Sequence, residues 1–180
     1  LKTSAHGSGK SEPLLAGRDG SGGKHDTDQR LRIVGWSWVV LQAGGRILAG
    51  ATGGLTGKAQ TAPRAELFAV VNFLEQVEGH ANLYIDNKFV VDGVAKIRGG
   101  CRAGPKTEHG DLWGRIAAHA ELRLNMVTTA KIKSHLKKDQ AEVTGVPALA
   151  WEANFLADVL TDQAAERHQF ADADVAVVRK

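Results

Sequence analysis

Four acidic residues stand out among the 20 of this 180-residue chain, because each lies beside an apolar segment: Asp19 in Arg-Asp-Gly-Ser-Gly-Gly, Glu66 in Pro-Arg-Ala-Glu-Leu, Asp86 in Leu-Tyr-Ile-Asp-Asn, and Asp158 in Asn-Phe-Leu-Ala-Asp-Val-Leu. A carboxylate at the edge of a buried element loses hydration and needs a cation to meet it, so four in such settings point either to ion pairs or to a cluster that binds divalent metal. Oxygen-only ligands suit Mg²⁺ or Mn²⁺, whereas zinc draws His and Cys. Two such ions roughly 3.5 to 4 Å apart activate a water and stabilise the leaving oxygen in phosphodiester cleavage. Without metal the four acids would repel one another, so the ions would be part of the folded state.

The elements that must position these acids follow from periodicity. Leu14 and Leu15 begin a short, poor strand that runs to Asp19, and the Gly-rich stretch 20–32 reads as a long turn. Residues 33–41, Ile-Val-Gly-Trp-Ser-Trp-Val-Val-Leu, form a strand with Trp36, Trp38 and Val40 on one face, and those tryptophans read as core and not as a base-stacking platform. Gly44-Gly45 turns the chain into a second strand over 46–52. Pro63 opens a helix carrying Leu67, Val70, Val71 and Leu74, which places Glu66 in the first turn, where the helix dipole favours a negative charge. A strand over 81–85 ends at Asp86, and a helix follows at once. A Gly-containing loop spans 98–110, and a helix over 111–122 takes Asp111 as its cap and turns Leu112, Trp113, Ile116 and Ala120 inward. A last strand covers 126–132, a loop 133–150 and a last helix 151–165, with Asp158 near its start. An antiparallel opening followed by crossover units is an α/β fold with a mixed sheet, whose working crevice lies at the carboxyl ends of parallel strands. If the strands ending at Asp19 and Asp86 are parallel neighbours, the two carboxylates face each other.

Hydrophobic residues at 43% and charged ones at 24% give one well-buried core. Residues 1–13 read as a flexible segment; the stretch 14–167, which the resemblance given below covers, is the catalytic domain that it implies, and 168–180 is a C-terminal tail. A net charge of +3 and a pI near 9.1 permit a nucleic-acid partner without demanding one. The single Cys101 excludes an internal disulfide framework and Cys-based zinc, fitting a reducing compartment. No run approaches 18 apolar residues, so a soluble, intracellular protein of the cytoplasm or nucleus, not bound to membranes and monomeric by default, is expected. The chain begins at Leu1 and not at Met, as an excised portion of a longer protein would.

Six segments in order carry a family resemblance: Asp-Gly-Ser-Gly-Gly at 19–23, Gln-Thr-Ala-Pro-Arg-Ala-Glu-Leu at 60–67, Leu-Tyr-Ile-Asp-Asn-Lys-Phe-Val-Val-Asp-Gly at 83–93, Asp-Leu-Trp at 111–113, Lys-Ser-His-Leu at 133–136 and Trp-Glu-Ala-Asn-Phe-Leu-Ala-Asp at 151–158. Together they resemble the ribonuclease H domain, including the form attached to the reverse transcriptases of mobile elements. The resemblance implies a five-stranded ribonuclease H-like fold in which three antiparallel strands precede the parallel ones. It also implies cleavage of the RNA strand of RNA·DNA hybrids with two Mg²⁺ ions, for which Mn²⁺ substitutes. On it, Asp19, Glu66, Asp86 and Asp158 match the four metal ligands, and His135 matches a loop histidine that assists proton transfer or product departure. Gly20, Ser21, Asn87, Lys133, Lys137 and Lys138 are the implied contacts to nucleic acid. The chain departs from the pattern in its weak first strand, in Asn87 where Ser often stands, and in Ala153 where a glycine commonly precedes Asn154.

Lys131, Lys133, Lys137 and Lys138 flank His135 without an intervening acid and suit phosphates, and Arg98, Arg102 and Lys106 offer a second basic contact. Gly57-Lys58-Ala59 lacks the Ser or Thr of a phosphate loop. Two other classes remain beside the hybrid endonuclease: a nuclease-inactive binding or tethering module of a larger polyprotein, and an integrase or junction resolvase of the same fold, which usually lacks the Pro-Arg-Ala-Glu-Leu helix start.

Overall fold

A computed structural model describes residues 14–25, 27–102, 107–133 and 135–179; the segment 1–13 read as flexible lies outside them. Five strands form one sheet: β1 (Leu14–Ser21), β2 (Gly35–Leu41), β3 (Ile47–Gly54), β4 (Ala81–Ile85) and β5 (Val127–Lys131), in the order β3-β2-β1-β4-β5. β1 to β3 are antiparallel, and β4 and β5 join β1 in parallel. This is the mixed α/β sheet that the periodicity predicts, with the five strands that the resemblance implies. Helices α1 (Ala62–Gln76), α2 (Lys88–Arg98) and α3 (Gly110–Ala118) follow, then α4 (Lys138–Val143), α5 (Ala148–Arg167) and α6 (Asp172–Val178).

Alternation in β2 sorts its side chains between two layers. Trp38 and Val40 join Ala16, Leu67, Phe73, Leu83 and Ile85 in the main core under α1, where Trp36 meets Phe68 and Trp38 meets Phe73 edge-to-face. Both tryptophans are therefore packing residues. On the other face Val39 and Leu41 pack on Ala153 and Ala157 of α5. Every residue α5 buries is small: Ala150, Ala153, Ala157, Thr161, Ala164 and Ala165. The helix accordingly lies very close to the sheet. A Cβ built on Gly17 would come within 2.3 Å of the Ala153 carbonyl, and one on Gly35 within 2.2 Å of the Thr161 oxygen. Ser37 Oγ donates to the Ala157 carbonyl at 2.6 Å, and Thr161 Oγ1 donates to Ser37 Oγ at 2.9 Å.

Here lies the reason that β1 reads so poorly as a strand. It is a central strand whose middle must stay thin beneath α5, and bulky β-formers cannot occupy position 17. Four other expectations change. Asp111 is not the cap of α3, a place taken by His109; its carboxylate instead binds both Nη atoms of Arg64, tying α3 to α1. The loop read over 133–150 contains α4, and the stretch read as a tail contains α6. α5 begins at Ala148, so Asp158 lies in its third turn and not near its start. Among the described residues no helix is long and apolar enough to cross a membrane.

Gly17→Ala should lower unfolding stability by about 2 to 3 kcal/mol or more, because backbone and not a movable side chain meets the new methyl group. Gly114→Ala, on a helix where an added Cβ meets nothing within 4 Å, should raise stability by about 1 kcal/mol or less. Denaturant unfolding of the two variants checks the contrast.

Candidate metal centre

β1 and β4 run parallel with Gly17 opposite Tyr84, where their pairing stops. Asp19 and Asp86 each lie two residues further on, at the carboxyl-end mouth of the sheet, while β1 continues against β2 as far as Ser21 and Gly35. Glu66 reaches the same mouth from α1. Gly20 makes this approach feasible: a Cβ there would meet the Glu66 backbone nitrogen and Cγ at 2.9 Å. The outcome is a cluster in which one carboxylate oxygen each from Asp19, Glu66 and Asp86 lies within 4.8 Å of the others. Asp158 comes from α5, its carboxyl hydrogen-bonded to that of Asp19.

Burial pushes the Asp19 carboxyl up from its ordinary value of 3.8 to about 8, reinforced by the hydrogen bond to Asp158 and by the negative charge of Asp86. Asp86 Oδ1 is buried and finds no hydrogen-bond partner among the described residues. A crowded carboxylate set that holds on to a proton, with an orphaned acceptor at its centre, has the donor chemistry for a hard divalent cation. Glu66 differs from the others. Its Oε2 accepts a hydrogen bond at 2.8 Å from Nη1 of Arg18, a side chain with no exposed surface. Sequence reading passed over Arg18 as part of the weak strand. Strand alternation was the available signal, since it puts residue 18 on the side of Ala16 and Trp38, and a charge facing a core requires a partner.

His135 lies at the rim, its Nδ1 3.5 Å from Asp158 Oδ2, with its side chain 78% exposed and its backbone at φ 50. Its loop is tied to α5 by Trp151 Nε1, which donates to the Leu136 carbonyl at 2.7 Å, and Trp151 stacks on Phe155 with ring centres 5.3 Å apart. Lys133 shares a small hollow with His135, Trp151, Asn154 and Asp158, and Asn154 Oδ1 is buried there without a hydrogen-bond partner among the described residues. Asn154 belongs to a quoted motif, but sequence reading gave it no role.

The implied nucleic-acid contacts divide by location. Gly20 and Ser21 continue β1 past Asp19, and Lys137 and Lys138 are exposed at the start of α4. Asn87 caps α2, its Oδ1 accepting from the Phe89 amide at 2.9 Å. Arg98 donates to the Val127 carbonyl, which ties it to β5; Arg102 lines a separate hollow with Lys96 and Trp113; Lys106 lies outside the described residues.

No protein-family model and no curated protein sequence matches the chain. Solved structures do. The solution structure of the prototype foamy virus RNase H domain superposes with a TM-score of 0.65 at 20% identity, over 86% of this chain and 94% of that one. LC11-RNase H1, in complex with an RNA/DNA hybrid, gives 0.58 at 16% identity over 86% and 97%. A foamy viral protease-reverse transcriptase in complex with an RNA/DNA hybrid gives 0.62 at 18% identity, covering 93% of this chain but 22% of that longer one. The fold is therefore ribonuclease H-like.

The raised Asp19 value fixes a sign. Between the ordinary carboxylate value and about 8 the folded, metal-free chain binds a proton that the unfolded chain has released. Its stability should therefore fall as pH rises through that window and level off above it. Asp19→Asn should flatten the slope. Thermal unfolding in chelator from pH 4 to pH 9 checks both.

Proposed function

We propose that this chain, built on the ribonuclease H-like fold just described, is a divalent-metal-dependent endonuclease that cleaves the RNA strand of RNA·DNA hybrids. Its catalytic unit spans 14–167, and two Mg²⁺ ions, or Mn²⁺ in their place, serve the reaction. The observation that carries this reading is the convergence of Asp19, Glu66 and Asp86, oxygens within 4.8 Å, with Asp158 bonded to Asp19 at the strand-end mouth. The hybrid-bound state of two of the similar structures supports the choice of substrate.

Divalent ions held by these four carboxylates would supply Lewis acidity and a counter-charge to the phosphate. The chain's own residues supply position and proton handling. Asp19 on β1 and Asp86 directly after β4 follow the end of a parallel strand pair by two residues each, so the sheet sets their spacing. Burial of Asp19 and Glu66 keeps water from screening the centre. His135, at the rim opposite Asp158, holds a ring nitrogen where a proton can pass to a departing sugar oxygen. Lys133, Lys137 and Lys138 give the rim a positive charge that meets the phosphate backbone.

The deciding experiment incubates the chain with labelled RNA·DNA hybrid, RNA duplex and DNA duplex, with Mg²⁺ or with chelator. Cleavage confined to the RNA of the hybrid and dependent on Mg²⁺ supports the reading; hybrid binding without cleavage would mark a nuclease-inactive module. Asp86→Asn should lower turnover by about a hundredfold or more, equivalent to about 2.7 kcal/mol of transition-state stabilisation, while leaving the circular dichroism spectrum unchanged. His135→Ala should slow single-turnover cleavage or product release more than it weakens hybrid binding. Lys137→Ala with Lys138→Ala should do the opposite and flatten the salt dependence of binding.

A further inference from the structure

Among the described residues Arg18 is the largest side chain with less than 2% exposure, and it sits one residue before Asp19. Strand alternation sends the two to opposite faces, so its guanidinium approaches the acidic cluster from the α1 side, beneath Glu66. Only Nη1 is bonded, to Glu66 Oε2 at 2.8 Å; Nε and Nη2 are buried and find no hydrogen-bond partner among the described residues. A buried guanidinium with two unsatisfied nitrogens is costly, and one carboxylate offsets only part of that cost. A structural ion pair placed for stability alone would satisfy more of its donors. What this arrangement does provide is a fixed positive charge against one ligand of a four-carboxylate centre.

Resting on the metal-centre reading above, we propose that Arg18 is a built-in counter-cation. It holds Glu66 in its binding position before metal arrives, and it lowers the affinity of the centre for divalent ions. Two effects of opposite sign meet here. The hydrogen bond to Oε2 fixes Glu66 and favours metal binding by preorganisation. The positive charge repels a doubly charged ion bound to the same carboxylate, and it engages Oε2, leaving Oε1 as the free oxygen. In a buried setting the charge term outweighs one hydrogen bond, because it acts on the full charge of the ion and is screened little by water. The centre is thereby set to fill at higher metal concentration than its four carboxylates alone would require.

The test separates charge from hydrogen bond. Arg18→Gln replaces the guanidinium by a neutral donor, and Arg18→Met removes both features. Calorimetric titration with Mn²⁺, without nucleic acid, is run on the wild type and on each variant that circular dichroism shows to be folded. Metal-free melting temperatures are taken alongside. Either variant should bind Mn²⁺ about tenfold or more tightly than the wild type and show a larger Mn²⁺-induced rise in melting temperature. Metal-free Arg18→Met should melt lower than the wild type, and Glu66→Gln added to it should recover part of the loss, because it removes the unpaired buried charge. Mn²⁺ affinity in the folded variants equal to or weaker than that of the wild type overturns the role of Arg18 and leaves the metal centre standing. Failure of wild type and variants alike to bind Mn²⁺ overturns the metal centre and this role with it.

Discussion

The near-contact of α5 with the backbone of β1 and β2 is the constraint on which the rest of the molecule depends. It requires Gly17 and Gly35 on the strands and alanine or threonine along the helix, because larger side chains would push the layers apart. In return it brings Asp158 within hydrogen-bonding reach of Asp19, a contact that a more distant helix could not make. The hydroxyl relay from Thr161 through Ser37 to the Ala157 carbonyl fixes the helix along its axis as well as in depth. The placement of the fourth carboxylate is thus a consequence of close packing.

Around that constraint the charges are arranged in opposition. Three carboxylates share a space less than 5 Å across, and a fourth leans in from the helix. Asp19 answers by keeping a proton and Glu66 by taking the Arg18 guanidinium, while Asp86 is left with an orphaned oxygen. Three neighbours have three different local solutions to the same crowding. The differences follow from position: Asp19 faces α5 and its acid, Glu66 faces the underside of the sheet, and Asp86 stands where β4 gives way to α2.

Much of this was legible in the chain itself. Strand alternation in 35–41, helical spacing after Pro63 and the acid at the end of Leu-Tyr-Ile-Asp located β2, α1 and β4 because these elements bury one regular face each. The order of the acids left the meeting of Asp19 and Asp86 conditional on their strands being parallel neighbours, a condition that the β1-β4 pair meets. Illegible were the features that depend on contacts distant in sequence. Asp111 resembled a cap because its partner Arg64 is 47 residues away. Asp158 resembled a helix-start residue because Pro147 and the alanines after it gave little apolar contrast to mark where α5 begins. Arg18 was obscured by the low β-propensity of its neighbours, a weakness imposed by α5 and invisible without it.

The strand order also divides the molecule by how readily its parts open. β1 is paired with β2 along its length and with β4 as far as Gly17, and it is covered on both faces, so its amides should exchange with solvent only in the deepest openings of the chain, and Asp19 is anchored to that strand. Among the described residues the His135 loop is held to α5 by the Trp151 indole bond and by the approach of His135 Nδ1 to Asp158, beside the short helix α4, and fluctuations that release it need not disturb the sheet. The acidic cluster and His135 therefore stand on parts of the fold that are tethered to very different degrees.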